Sequence, residues 1–160
     1  MQKVGFGGSC HWCTEAVFQS FVGVTKVDQG WIASSDDASA FSEAVIVEFD
    51  PTVITLKTLI EIHLHSHSCT ATHFMRSKYR SAIYTYNKEQ GKEAAQTIYF
   101  LQADFYEPII TQILPFADFK LNTENYQNYY YSNPQKPFCE NIVNPKLRAL
   151  RKRFGKLMIT

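Results

Sequence analysis

The chain has 160 residues, 45% of them hydrophobic, and a formal net charge of +1. This length fits one domain with a sizeable core, so we expect a single domain over residues 1–160. The balanced charge argues against a dedicated nucleic-acid-binding protein, which usually has a strong basic excess. No stretch approaches the roughly 18 apolar residues of a membrane span, and the first residues lack a signal-peptide hydrophobic region. We therefore expect a cytoplasmic protein, monomeric, that binds neither nucleic acid nor membrane.

The pattern of hydrophobic residues predicts elements in the order β-α-β-β-α-β-α-β, followed by an irregular tail with a helix. The strands are predicted over residues 3–6, 24–32, 41–49, 79–86 and 109–113. The helices are predicted over residues 12–21, from an N-capping Thr55 to about His65, over 88–105, and from Pro145 onward. Because strands and helices do not alternate strictly, we predict an α+β fold. In it, a mixed, mostly antiparallel sheet with a ferredoxin-like core forms a two-layer sandwich with the helices.

Basic residues gather near the end of the chain, from Lys146 to Lys156. An apolar stripe runs beside them at helical spacing, at Leu147, Leu150 and Phe154. We interpret the basic run as the solvated face of the last helix rather than as a nucleic-acid-binding surface.

Cys10 follows two glycines and a serine and stands where the first helix is predicted to begin. Glycines allow a tight backbone path, and a helix N-terminus presents unpaired N–H groups and a partial positive charge that favour a thiolate. Such a position can lower the pKa of a cysteine from about 8.5 into a range of roughly 3.5–7.5. With Cys13 three residues on, the pair admits several interpretations: a reactive nucleophile, a thioredoxin-type redox pair, half of a zinc site, or inert buried thiols.

The segment GGSCHWCTEAVF resembles the active-site segment of the A-type peptide methionine sulfoxide reductases, usually Gly-Cys-Phe-Trp followed by Gly or Cys and then Glu. Three further segments are similar to that family in the same order: SEAVIVEFDPTVITLKTLIEIH, KYRSAIYTYNKEQ and ENYQNYYYSNPQKPFC. Together they extend over nearly the whole chain, which is far more specific than the cysteine pair alone. The resemblance implies one reductase domain over residues 1–160 that uses a thiol to reduce the S-epimer of methionine sulfoxide in proteins or peptides.

The resemblance also implies catalytic roles for three residues. Cys10 is the nucleophile that attacks the substrate sulfur and becomes a sulfenic acid. Glu43 is the acid that protonates the sulfoxide oxygen, and its alternation with Val45 and Val47 predicts that it points inward. Tyr79 donates a hydrogen bond to the same oxygen.

Other residues are implied to bind the substrate and close the cycle. Trp12 packs on the substrate methyl group, and His11 stands where the family has a phenylalanine of the same pocket. Either Cys13 or Cys139 condenses with the sulfenic acid to form a disulfide, and Cys69 is a weaker candidate. The resemblance implies no resident cofactor. An external thiol reductant, thioredoxin or dithiothreitol, then restores the thiols.

The sequence also departs from the family pattern. The family's aspartate before the Tyr-Arg-Ser motif is missing, and residues 73–75 occupy that place. The histidine-rich stretch HLHSHSCTATH offers imidazoles and a thiolate that could bind zinc or copper at His63, Cys69 and their neighbours up to His73. We favour helix-end and loop roles without a metal. The departures leave two rival hypotheses, a catalytically weakened family member that binds a metal or peptide, and a general disulfide reductase.

Overall fold

The structure, a computed structural model, describes residues 1–72 and 74–159. Within these residues one sheet contains β1 (Gln2–Gly7), β2 (Val24–Ala33), β3 (Ser42–Phe49), β4 (Ala82–Thr85), β5 (Gln112–Pro115) and β6 (Asp118–Leu121). The helices are α1 (His11–Gln19), α2 (Leu56–His65), α3 (Lys88–Leu101), α4 (Tyr129–Ser132) and α5 (Asn144–Phe154). None of these helices has the length and apolar run needed to cross a membrane.

The strands lie in the order β5-β4-β1-β3-β2-β6, and neighbours are antiparallel except for β4 and β5. The central order β4-β1-β3-β2, with α1 and α2 as the crossover helices, is that of a ferredoxin-like split βαβ unit. The predicted α+β class and the mixed, mostly antiparallel sheet are therefore confirmed.

The main core lies between the helices and one face of the sheet. On β3, the side chains of Val45, Val47 and Phe49 are fully buried on this face, as the alternation predicts. The intervening Ala44 and Ile46 point to the other face, where a smaller cluster lies. Burial of each aliphatic side chain contributes about 1.5–3 kcal/mol, so the helix-facing side carries most of the apolar stabilisation.

Side chains set the helix ends. The hydroxyl of Thr55 accepts the amide of Thr58 at 3.1 Å, so the predicted N-cap of α2 is confirmed. The predicted helix over 88–105 is too long, because α3 ends at Leu101. The side chain of Gln102 instead bonds backbone beyond the helix, accepting the amide of Ile109 at 2.9 Å.

The predicted strand over 79–86 begins too early, since β4 starts only at Ala82. The amide of Tyr79 donates to the carbonyl of Met75 at 3.0 Å. The guanidinium of Arg76 also binds the Tyr79 carbonyl at 2.9 Å. These bonds hold residues 75–79 in a turn, and Tyr79 therefore lies before β4 rather than within it.

Two elements near the end also differ from the prediction. The strand predicted over 109–113 is shifted, because β5 pairs with β4 from Gln112 onward. The short β6 was not predicted, because its sequence DFKL alternates polar and apolar residues over only four positions. Pro145 lies in the first turn of α5 as predicted, but a π-helical turn over Cys139–Val143 leads directly into that helix.

Candidate active site

The pairing of β1 with β3 and β4 brings three chain segments together at one end of these strands. Gly7, the last residue of β1, pairs both near the start of β3 and at the start of β4. Cys10 follows Gly7 closely, Glu43 lies at the start of β3, and Tyr79 lies just before β4. The antiparallel pairing therefore gathers the three predicted catalytic residues in one region.

The turn that presents Cys10 requires glycine at position 8. Gly8 has a φ of 151°, and a Cβ there would lie 2.4 Å from Cδ2 of His67. The imidazole of His67 is fixed by the carbonyl of His63 at 2.6 Å and the hydroxyl of Ser81 at 2.7 Å. Burial lowers the pKa of His67 to about 4. The ring is thus neutral near pH 7, with Nδ1 donating to the carbonyl and Nε2 accepting from the hydroxyl.

Cys10 and Cys13 form a hydrogen-bonded pair of thiols at the start of α1. Cys10 occupies the cap position and is partly exposed, whereas Cys13 is buried. The bond from Cys10, opposed by burial and assisted by the charge of Lys146, lowers the pKa of Cys13 to about 7. The same bond, together with burial, raises the pKa of Cys10. The prediction that the helix start lowers the pKa of Cys10 is therefore wrong, and the lowered pKa is that of Cys13.

Glu43 points to the helix side of the sheet and is 6% exposed, so its predicted inward orientation is confirmed. Its Oε1 accepts the amide of His11 at 3.2 Å and lies 3.5 Å from His11 Nε2. Its Oε2 lies 3.5 Å from Nζ of Lys78. His11 Nδ1 lies 2.8 Å from the carbonyl of Gly30. Sequence reasoning missed Lys78, because a lysine in a loop carries no signal of the carboxylate opposite it.

A cavity of about 570 Å³ opens beside Cys10, and Tyr79 also lines it. Its charged lining residues are Arg76 and Lys146. Among the described residues, Glu43 and the two predicted substrate-contacting residues do not line it. A larger cavity of about 780 Å³ lies along β1 and α3, and none of the four cysteines lines it.

Trp12 does not line the cavity beside Cys10 and lies among aromatic residues of the tail. Its ring stacks on Tyr129 at 4.2 Å between centroids and on Tyr126 at 5.5 Å, and Phe138 meets it edge-on at 5.4 Å. Trp12 is still partly exposed. The surroundings of Trp12 are therefore apolar and largely closed.

Glu15 holds the tail in place. Its carboxylate is fully buried and accepts the amides of Asn128 at 2.8 Å and Tyr129 at 3.0 Å and the side chain of Gln29 at 2.9 Å. Burial raises the pKa of Glu15, and these three hydrogen bonds oppose the rise. The sequence alone gives no sign of this role, because the partners of Glu15 in the tail are far away along the chain.

The model of the family described as peptide methionine sulfoxide reductase matches residues 2–158. The chain belongs to this family. A peptide methionine sulfoxide reductase MsrA of Acinetobacter baumannii is 33% identical over 172 residues, with 99% of each chain covered. One of Pasteurella multocida is 33% identical over 170 residues, with 98% of each covered. The predicted family and the oxidoreductase class are confirmed.

Solved structures show the same fold. Reduced Mxr1 of Saccharomyces cerevisiae has a TM-score of 0.76 at 22% identity, over 86% of this chain and 88% of that one. Methionine sulfoxide reductase A of Corynebacterium diphtheriae has a TM-score of 0.71 at 24% identity, over 84% and 76%. A complex of Mxr1 with Trx2 gives 0.63 at 22% identity, over 80% and 84%.

Beyond the first thiol pair, this reductase-family chain has two more cysteines, and all four are free. Cys139 is buried in the π-helical turn before α5, and burial raises the pKa of its thiol. The charge of Cys13 contributes to the same rise, so Cys139 lies within electrostatic reach of the pair. Burial raises the pKa of Cys69 to about 11, which leaves that thiol protonated near pH 7.

The histidine-rich stretch is largely engaged by protein groups. His63 stacks on His67 at 4.3 Å between ring centroids, and its Nε2 lies 2.8 Å from the carbonyl of Gly7. Both ring nitrogens of His67 already have partners. His73, the last member of the predicted set, lies outside the described residues.

A different trio, missed by the sequence, brings possible metal ligands within 4.8 Å of one another: Glu61, His65 and Asp104. The guanidinium of Arg153 lies 2.9 Å from Glu61 and 3.0 Å from Asp104. A protein cation thus already lies against both carboxylates, and Arg153 links the trio to α5.

Proposed function

We propose that this chain reduces methionine S-sulfoxide in proteins or peptides to methionine, with Cys10 as the nucleophile. The observation that carries the proposal is the meeting of the Cys10–Cys13 pair, Glu43 and Tyr79 at the edge where β1 ends and β3 and β4 begin. Membership in the peptide methionine sulfoxide reductase family supports the same reaction.

In the first step the thiolate of Cys10 attacks the substrate sulfur. A proton reaches the sulfoxide oxygen. The S–S bond made by the attack and the S–O bond of the sulfoxide then break as the oxygen moves to Cys10, which becomes a sulfenic acid. The substrate leaves as a thioether, reduced by two electrons, and Cys10 is oxidised by two. The hydroxyl of Tyr79, on the cavity wall, hydrogen-bonds the oxygen as it gains negative charge.

Glu43 is the proposed proton donor, and its contact with His11 supports this role. A carbonyl can only accept, so Nδ1 of His11 donates to Gly30 and Nε2 faces the Glu43 carboxyl group. This contact holds the carboxyl group beside the start of α1, where Cys10 lies. We also propose that the partly exposed indole of Trp12 contacts the substrate methyl group, with His11 behind it.

In the second step a thiol condenses with the sulfenic acid, forming a disulfide and releasing water. The structure favours Cys13 over Cys139 as this resolving thiol, because Cys13 already hydrogen-bonds Cys10. An external dithiol then reduces the disulfide and is itself oxidised. We propose a thioredoxin for this reductant, with dithiothreitol as a substitute, since the related fold of Mxr1 has been solved in complex with Trx2.

We further propose that the working unit is a monomer in the cytoplasm, with one reductase domain over residues 1–160. A single chain supplies every proposed site residue. The four free thiols fit a reducing compartment.

The function is tested by incubating the reduced protein with peptides that contain the S- or the R-sulfoxide of methionine. Free thioether product and thiol loss are followed with dithiothreitol or thioredoxin as the reductant. We expect turnover of the S-epimer, and a loss of at least about a thousandfold in Cys10→Ser. Cys69→Ser, which removes a thiol outside the pair, is the matched control and should retain activity. Failure of the wild type to reduce either epimer would refute the proposal.

The resolving thiol is tested by a single oxidation with substrate in the absence of reductant. Peptide mapping should find the Cys10–Cys13 disulfide in the wild type and in Cys139→Ser. In Cys13→Ser we expect a persistent sulfenic acid, trapped by dimedone. A Cys10–Cys139 disulfide in the wild type would instead assign the role to Cys139.

A further inference from the structure

The cavity beside Cys10 is positively charged. Its lining includes Arg76 and Lys146 but, among the described residues, no aspartate or glutamate. Such an arrangement attracts anions, because a cleft lined by one sign of charge concentrates the field within it. The thiol of the proposed nucleophile opens into the same space.

Arg76 is fixed in place by backbone groups rather than by a carboxylate. Its guanidinium donates to four backbone carbonyls, those of Gly8, Ser68, Ala71 and Tyr79. These bonds use four of its five N–H groups and leave its charge without a counter-ion in the part of the chain that the structure describes. Burial lowers the pKa of Arg76, which shows that its charge is costly where it lies.

Lys146 supplies the second charge from the first turn of α5. The sequence placed it on a solvated helix face, but it is partly buried and lines the cavity. Its charge lowers the pKa values of Cys13 and His67, so it acts close to the thiol pair. Over residues 1–72 and 74–159, no carboxylate lies within ion-pair distance of it.

We propose that this cavity is an anion subsite that takes a carboxylate of the substrate, held by Arg76 and Lys146 while the sulfoxide lies at Cys10. The proposal deepens the proposed function and rests on it. The carboxylate comes either from an acidic residue that flanks the oxidised methionine in a peptide or from the free amino acid itself. Both sources present the same chemistry, and the experiments below distinguish them.

The two cations could instead act only on the thiols, by favouring the thiolate. That effect is the same for every substrate and appears as a shift of the pH profile. A subsite instead changes the ratio between the reaction rates of anionic and neutral reactants at a single pH. The ratio is therefore the decisive quantity.

The first experiment uses matched alkylating reagents and needs no reductase activity. Reduced protein is treated with iodoacetate or iodoacetamide, and modification of Cys10 is followed by peptide mass. We expect the iodoacetate-to-iodoacetamide rate ratio to exceed that of glutathione by about fivefold at low salt and to decline as salt rises. Lys146→Gln should reduce the ratio about threefold, whereas Lys152→Gln, on the exposed part of α5, should not. A ratio equal to that of glutathione and insensitive to Lys146→Gln would overturn the proposal.

The second experiment compares S-sulfoxide peptides with glutamate, glutamine or lysine beside the oxidised methionine, together with free methionine S-sulfoxide. We expect kcat/KM for the glutamate peptide to exceed that for the lysine peptide about tenfold, and Lys146→Gln to remove most of the difference. Preference for the free amino acid over its amide would identify its own carboxylate as the ligand. Equal turnover of all peptides would refute the subsite and leave the reductase function standing. A preference of Cys10 for iodoacetate without turnover of any sulfoxide would support an anion-binding cavity and refute the reductase function.

Discussion

The two sides of Cys10 are built in contrasting ways. On one side Trp12 packs against rings of the tail and the space is closed and apolar. On the other side an open cavity is lined by Arg76 and Lys146. The closed side contributes stability through buried area, whereas the open side keeps charges that the fold leaves unpaired. Cys10 therefore lies between an aromatic cluster that holds the tail and an open, positively charged cavity.

The largest expected effect is on the closed side. Trp12→Ala removes a ring that contacts three aromatic side chains, so we expect a loss of about 4 kcal/mol in the free energy of unfolding. Chemical denaturation measures it. Lys146→Gln, on the open side, should change stability by less than about 0.5 kcal/mol. Similar losses in the two variants would break the contrast.

The closed side also depends on the carboxylate that holds the tail. Glu15→Gln replaces one carboxylate oxygen by an NH₂ group, which can only donate. An N–H group that this oxygen accepted in the wild type then stays buried without a hydrogen-bond partner. We expect a loss of about 3 kcal/mol. Glu140→Gln, at an exposed position in the tail, is the control and should be neutral.

Glu15 also predicts a pH dependence. Burial raises its pKa in the folded state above the ordinary value of 4.5. The folded protein therefore binds the proton more tightly than the unfolded chain, and the associated stability is present below about pH 4.5 and lost as pH rises through the folded pKa. Denaturation midpoints at successive pH values should show this trend in the wild type but not in Glu15→Gln. An identical pH trend in both proteins would contradict it.

Between the two sides, Cys13→Ser tests the thiol pair. The shared bond lowers the pKa of Cys13 to about 7 from an ordinary value of 9.0, and the pair loses its first proton there. Cys13→Ser removes the largest cause that raises the pKa of Cys10, so we expect the pKa of Cys10 to decline and its thiolate fraction at pH 7 to rise. Iodoacetamide rates from pH 6 to 10 measure the midpoint. A midpoint unmoved by Cys13→Ser would show that the two thiols titrate independently.

The smallest effect concerns the turn on the open side. Gly8→Ala brings a methyl group against His67 at a backbone conformation that favours glycine, so we expect a loss of about 2 kcal/mol. His67→Ala in the same chain should restore part of it by removing the clash, which a double-mutant cycle quantifies. Strictly additive losses would show that the cost of Gly8→Ala comes from the backbone conformation alone and not from a clash with His67.

The sequence by itself determined the elements and the chemistry of single residues. The strong alternation of β3 fixed the inward direction of Glu43, because strand side chains have a period of two. The N-cap of α2 and the glycine turn before Cys10 could likewise be predicted, because local hydrogen bonds and backbone freedom depend on neighbouring residues. The four-residue β6 and the true start of β4 could not be predicted, because strand partners and the side chain of Arg76 decide them.

Only the tertiary structure decided what surrounds the thiol. The burial of Glu15 under the tail and the position of Lys146 on the cavity wall join residues by folding rather than by local pattern. A pKa or a field depends on burial and on charges within a few ångströms, and sequence spacing does not encode those distances. The sequence therefore pointed to Cys10 and to Cys13 beside it, and the fold supplied the charge of the space in front of them.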